Sequence, residues 1–312
     1  ASIWKITAFL CSNFTDRYTF FFLLLTLGSI QLFFGYGESY TILALSSALY
    51  VLFSLRFLKG HSFAFPTLCL LFSSALHIMA LSLLPSWLYL LWHKMKRPSG
   101  GLFKKPHIYL PATTICGVLL FYLYSGFYPD NLPLVAPREE GQYALFSLPH
   151  LLLLGNAILL LSPFGIVWGF IFLLTRTPSK ADTSFFGWAA LGTGLLIIFH
   201  DAYLGGRDWD LMSYPSLHYT LWGISCLQLF PMNQKQNREV RLVVLPIMVI
   251  HTVLWIGINS NQVRATNRLG FLLESSNQPR HYRAFTLGHF YLNIQKKDID
   301  EGVRWLREAI AF

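Results

Sequence analysis

Residues 18–36, "YTFFFLLLTLGSIQLFFGY", and residues 40–58, "YTILALSSALYVLFSLRFL", decide the class of this protein, because they are two long apolar runs separated by a short polar turn. Each falls within the roughly 17–25 residues that an α-helix needs to cross the hydrocarbon core of a bilayer. Neither shows the two-residue alternation of a membrane β-barrel strand, and helices are then the remaining way to satisfy the backbone in lipid. The pair is expected to form a helical hairpin.

Composition carries the same reading along the chain. Of 312 residues, 54% are hydrophobic and only 12% charged, with a mean hydropathy of +0.47, which places the chain among integral membrane proteins. The formal net charge is +9. Its basic residues gather beside apolar segments, as cytoplasmic loops do, so membrane lipid is the expected partner and no nucleic acid is. Cys11, Cys69, Cys116 and Cys226 are widely spaced without a CxxC pair and read as small core residues. The chain opens without Met and without the layout of a signal peptide, so it reads as part of a longer protein or as one with segments closed up.

The run at 64–92 is too long for one straight crossing. Pro85 is expected to kink it, leaving either one bent helix or a short re-entrant pair. The stretch "HKMKRPSGGLFKKPH" (93–107) holds five Lys and Arg and is the strongest cytoplasmic marker. Residues 107–125 cross outward to an external loop at 126–147, and 148–174 is broken at Ser162-Pro163. Residues 184–199 cross outward, 215–231 cross back to the basic "MNQKQNREVR" (232–241), and 240–257 cross outward again. The loops at 126–147 and 200–214 and everything after 258 then share the external side. Upstream the topology stays open, because Arg56 and Lys59 favour the cytoplasm whereas a single crossing at 64–92 puts them outside.

The fold class expected is therefore all-α: a polytopic transmembrane helix bundle over 1–257, with about eight spans and room for one re-entrant or interfacial segment among them. A C-terminal extramembrane hairpin follows over 258–312. In "AFTLGHFYLNIQKKDIDEGVRWLREAIAF" (284–312), Leu287, Gly288 and Tyr291 lie on one helix and Gly302, Leu306 and Ala309 at helical spacing on a second. This resembles one tetratricopeptide unit, with a link about two residues longer than usual. A single unit cannot bury its face alone, so further repeats or a protein partner through 259–312 are expected.

"LFSLPHLLLLGNAILLLSP" (145–163), "GGRDWDLMS" (205–213), "IHTVLWIGINSNQVRATNRLGFLL" (250–273) and "LHIMALSLLPSWLYLLW" (76–92), followed by the repeat-like tail, resemble the carboxy-terminal half of large bacterial polytopic proteins. These are similar in architecture to C-type membrane glycosyltransferases. The resemblance implies the bacterial inner membrane, a polyprenyl-phosphate sugar as donor and transfer at the external face, with a divalent metal as the cofactor to consider. The key acidic residue of such enzymes belongs to a first external loop, and nothing in 1–40 matches it.

Charge concentrates in "HDAYLGGRDWDLMSYPSLHY" (200–219). Asp201, Asp208 and Asp210 could hold a hard cation, Arg207 could clamp a phosphate bidentately, and His200 and His218 could act as acid, base or ligand. In the companion loop Asp130, Arg138, Glu139 and Glu140 share the expected external side. A purely structural reading stands beside this one: a glycine turn, an ion pair of Arg207 with Asp208 or Asp210, Trp209 and Tyr214 anchored at the headgroups, and Ser213 capping the next helix. Two functions remain open, a lipid-linked glycosyltransferase or its carboxy-terminal half and a non-catalytic membrane subunit. Transport has less support, because paired charges within the spans are scarce.

Overall fold

The computed structural model describes residues 1–11, 13–33, 40–96, 147–175, 180–198, 213–230, 232–261, 264, 280–293 and 299–311. Among these the regular structure is helical throughout. The chain divides into two compact units, one made of Ala1–Pro129, Leu154–His200 and Trp209–Leu254, the other of Asp130–Leu153, Asp201–Asp208 and Trp255–Phe312.

The first unit begins with α1 (Ser2–Leu10) and α2 (Phe14–Leu25), the latter capped where the Asn13 side chain accepts from the Thr15 amide. The expected crossing at 18–36 does not continue as one α-helix. It ends at Thr26 and gives way to a 3₁₀ segment, Gly28–Phe33. The turn that follows packs closely on the Leu148–Leu161 helix, since a Cβ on Gly28 would stand 3.2 Å from the Leu160 carbonyl oxygen. The tight turn is therefore held against another helix.

The second run of the expected hairpin is one continuous helix, α3 (Tyr40–Leu58), and its principal neighbour is α4 (Ala64–Leu76). After α4 the chain breaks at His77, whose backbone is extended (φ −159°, ψ 135°) and whose Nδ1 accepts from the Met79 amide at 3.2 Å. A 3₁₀ segment, Ile78–Leu83, leads into α5 (Leu84–Met95), where Pro85 lies in the first turn. Pro85 thus starts a helix instead of kinking one, because the first turn leaves the missing N–H without consequence. The long run at 64–92 is two short helices.

α6 (Leu148–Leu161) and α7 (Pro163–Thr175) meet at Ser162 with a bend of 111°, the break expected from Pro163. α8 (Ala181–Ile198) and α9 (Ser216–Leu227) follow, and α9 packs against α7, α8 and α2. Pro215 occupies the N-cap of α9, and the Ser216 hydroxyl donates to the Ser213 carbonyl at 2.6 Å. α9 is buried along almost its whole length, with His218, Leu221, Ile224 and Cys226 fully enclosed.

Two features draw these helices together. The first is close backbone approach at a G-x-x-x-G pair on α7: Gly165 lies on the α9 backbone at Tyr219 and Thr220, and Gly169 lies on the Trp222 indole. The second is a set of buried hydroxyl bonds between helices. Ser46 accepts from Ser73 (2.9 Å), Tyr50 and Ser86 share a bond of 2.8 Å, Thr67 accepts from Trp87 Nε1 (2.9 Å), and Ser162 and Thr220 share one of 2.7 Å. Such bonds between apolar helices contribute on average about 0.6 kcal/mol each, so their combined effect fixes register more than any one fixes stability.

Helix α10 (Gln234–Ser260) starts with a reciprocal capping box: Asn233 Oδ1 accepts from the Gln236 amide at 2.9 Å, and Gln236 Oε1 accepts from the Asn233 amide at 3.0 Å. Asp16 on α2 accepts from Arg241, and the Thr26 carbonyl accepts from the Thr252 hydroxyl. Met248 and Thr252 are buried on that side, whereas Leu242, Val243, Ile247, Ile250, Val253 and Leu254 are exposed on the other. Among the described residues, two helices are long and apolar enough to cross a bilayer: Tyr40–Leu58 and Arg238–Gly257.

The described part of the second unit includes an antiparallel hairpin of α11 (Arg280–Asn293) and α12 (Ile299–Ile310). A Cβ on Gly288 would meet Leu306 at 2.7 Å, and one on Gly302 would meet Leu292 at 2.7 Å. Each step forward on α11 is a step back on α12, which fixes the antiparallel sense. Glu301 accepts from Trp305 Nε1 at 3.0 Å and pairs with Arg304, stitching the outer face of α12.

Candidate functional site

Of the residues that the sequence singles out, His200, Asp201, Arg207, Asp208 and Asp210 lie outside the described residues, as do Asp130, Arg138, Glu139 and Glu140. His218 is described, and it does not stand at a loop surface. It lies in the first turn of α9, fully buried, with Nε2 in a 3.0 Å hydrogen bond to Ser47 Oγ on α3 and its ring 5.5 Å from that of Tyr214. This geometry ties α9 to α3. Among the described residues no aspartate or glutamate is hydrogen-bonded to the Ser47–His218 pair. Among the described residues no group of three His, Cys, Asp or Glu side chains is placed to hold a metal ion.

A polar cavity of about 730 Å³ opens between α2 and α10, lined by Asn13, Thr15, Thr19, Lys235, Arg238, Arg241, Leu242 and Leu245. Three cationic side chains, two hydroxyls, one carboxamide and two leucines thus line it. Their charges are not equally available. Arg241 is half-buried and paired with Asp16, whereas Lys235 and Glu239 form only an exposed i,i+4 contact at 3.9 Å, a geometry that contributes little in water. Arg238 is exposed and pairs with no carboxylate among the described residues.

The hydroxyl inventory points the same way. Thr19 Oγ1 donates to the Thr15 carbonyl at 3.0 Å, and Asn13 Oδ1 accepts from the Thr15 amide at 2.9 Å. The Asn13 amide nitrogen remains as a donor at the rim. Beside the cavity, Cys11 accepts from Gln228 Nε2 at 3.1 Å. Burial pushes its thiol up to about 11, against the opposing pull of the Gln228 bond and the Arg17 and Arg241 guanidinium groups.

Three of the eight lining residues belong to the basic stretch 232–241, which reads in the sequence only as a topology marker. Asn13, Thr15 and Thr19 give no such signal, because their proximity to Arg238 depends on tertiary placement of α2 beside α10, joined through Asp16–Arg241 and Thr26–Thr252. No family model, curated protein or solved structure matches the chain.

Proposed function

We propose that the chain is a polytopic protein of the bacterial inner membrane, built like the carboxy-terminal half of a C-type glycosyltransferase and acting on a polyprenyl-phosphate sugar at the external face. In this reading Arg207 binds the carrier phosphate. Asp201, Asp208 and Asp210 position the acceptor, and His200, Arg138 and Glu139 face them from the same side. The 259–312 segment is external, behaves as a tetratricopeptide unit and docks a protein partner.

The observation that supports this best is the tail hairpin following the Arg238–Gly257 helix. Its glycines at 288 and 302 admit Leu306 and Leu292, the small-residue packing a tetratricopeptide unit uses, in the same chain order as the resembled proteins. The test is transfer from a radiolabelled polyprenyl-phosphate sugar by the reconstituted full chain. Loss of transfer in Arg207→Ala and Asp208→Asn with normal assembly is the expected result. Absence of carrier turnover by the wild type overturns the reading.

One observation favours a second reading, a non-catalytic membrane subunit. Gly223 on α9 sits on Gly165 of α7, and His218 Nε2 bonds Ser47 on α3, so this part of the interior is closely packed. Failed assembly in both substituted chains would select that reading, with Arg207 holding its loop in shape.

A further inference from the structure

We propose that the cavity between α2 and α10 binds the phosphate headgroup of an anionic phospholipid, whose acyl chains lie along the exposed apolar face of α10. The site lies at the basic amino-terminal end of α10 and needs only that α10 crosses the bilayer. It is independent of sugar transfer.

The chemistry follows from what lines the cavity. Lys235 and Arg238 supply charge that no well-formed ion pair consumes, and a guanidinium matches a phosphate fork through two N–H donors. The Thr15 hydroxyl and the Asn13 carboxamide lie across from them on α2, so an anion there would be held from both walls. The Asn233 and Gln236 amides at the start of α10 are engaged by their capping box, and the lining side chains carry the recognition.

The occupant is identified by what adjoins the polar wall. Leu242 and Leu245 complete the lining, and the exposed residues Leu242, Val243, Ile250 and Val253 continue the apolar surface along the helix. A free phosphate would leave that surface unused. A lipid places its charged end where the cations are and its chains where the apolar face is, and the inner leaflet supplies anionic lipids to juxtamembrane Lys and Arg.

The experiment uses the full chain in detergent, exposed to phosphatidylglycerol or phosphatidylcholine of identical acyl chains, with retained lipid counted by native mass spectrometry. The wild type is expected to retain phosphatidylglycerol over phosphatidylcholine by roughly thirtyfold, as two interfacial cations imply. The Lys235→Gln/Arg238→Gln chain, altered only at exposed side chains, is expected to retain the two equally while unfolding at the wild-type temperature without lipid. Equal retention by the wild type overturns the proposal, and so does an undiminished preference in the double variant. Displacement of phosphatidylglycerol by millimolar inorganic phosphate would overturn the lipid assignment in favour of a free anion.

Discussion

Gly223 lies directly against Gly165: a Cβ built on Gly223 would stand 2.7 Å from the Gly165 Cα and 2.9 Å from its carbonyl oxygen. Backbone meets backbone here, and no side chain can move aside. Gly165→Ala and Gly223→Ala are each expected to destabilise the bundle by about 1–3 kcal/mol or more, the range of overpacking in a close-packed interior. Gly155 has open space around its Cβ position, so Gly155→Ala serves as the neutral comparison. Thermal unfolding in detergent reads all three. A Gly165→Ala chain as stable as Gly155→Ala would mean that α7 and α9 do not cross at this point.

The Ser47–His218 bond gives a second expectation. Ser47→Ala removes the partner of a fully buried imidazole nitrogen, and leaving such a group unsatisfied costs about 1–3 kcal/mol. The unfolding temperature should fall. If transfer activity is found, its loss in a normally folded Ser47→Ala chain would show that the pair does more than join α3 to α9.

The tail hairpin depends on two glycines that face leucines. Gly288→Val and Gly302→Val should each prise α11 from α12, because the added methyl groups fall where Leu306 and Leu292 lie. Limited proteolysis of the full chain should then cut within 280–310 faster than in the wild type. Unchanged protection would show that the hairpin packs in another register.

Cys11 provides a pH test. Its thiol is pushed up to about 11, chiefly by burial, so at pH 8.5 it is overwhelmingly protonated. In a chain where Cys11 is the sole cysteine, alkylation should run roughly a hundredfold slower than for an ordinary thiol, in proportion to the thiolate fraction. The sign for stability follows from the raised folded value. The contribution is fully present below the ordinary thiol pKa near 9 and is lost as pH rises towards about 11. Fast labelling at pH 8.5 would show that the α1–α2 corner opens to solvent.

The sequence made the long helices readable, and their ends less so. Tyr40–Leu58 and the α10 crossing follow from unbroken apolar runs, and the α6–α7 break follows from Ser162-Pro163. The breaks at Thr26 and His77 do not. Gly28 must admit Leu160 and His77 must cap a 3₁₀ turn, and both demands come from residues distant in sequence or from backbone geometry that periodicity does not register. Pro85 shows the same limit in reverse, since one proline can kink a helix or start one. His218 looked like part of a charged loop because of its neighbours at 200–210, whereas its bond to Ser47 is set by packing 171 positions away. The polar constellation around Arg207 was legible as residue types, and its geometry lies outside the described residues.

The most direct measurement is the sidedness of α10. Arg238→Cys and Arg264→Cys variants, one on each side of the helix in sequence and in chains otherwise free of cysteine, are labelled in intact cells with a membrane-impermeant maleimide. A crossing by Arg238–Gly257 with its basic end inside predicts labelling at 264 in intact cells and at 238 only after permeabilisation. Labelling of both positions from the same side would contradict the crossing, and with it the separation of an external tail from a headgroup site on the opposite face.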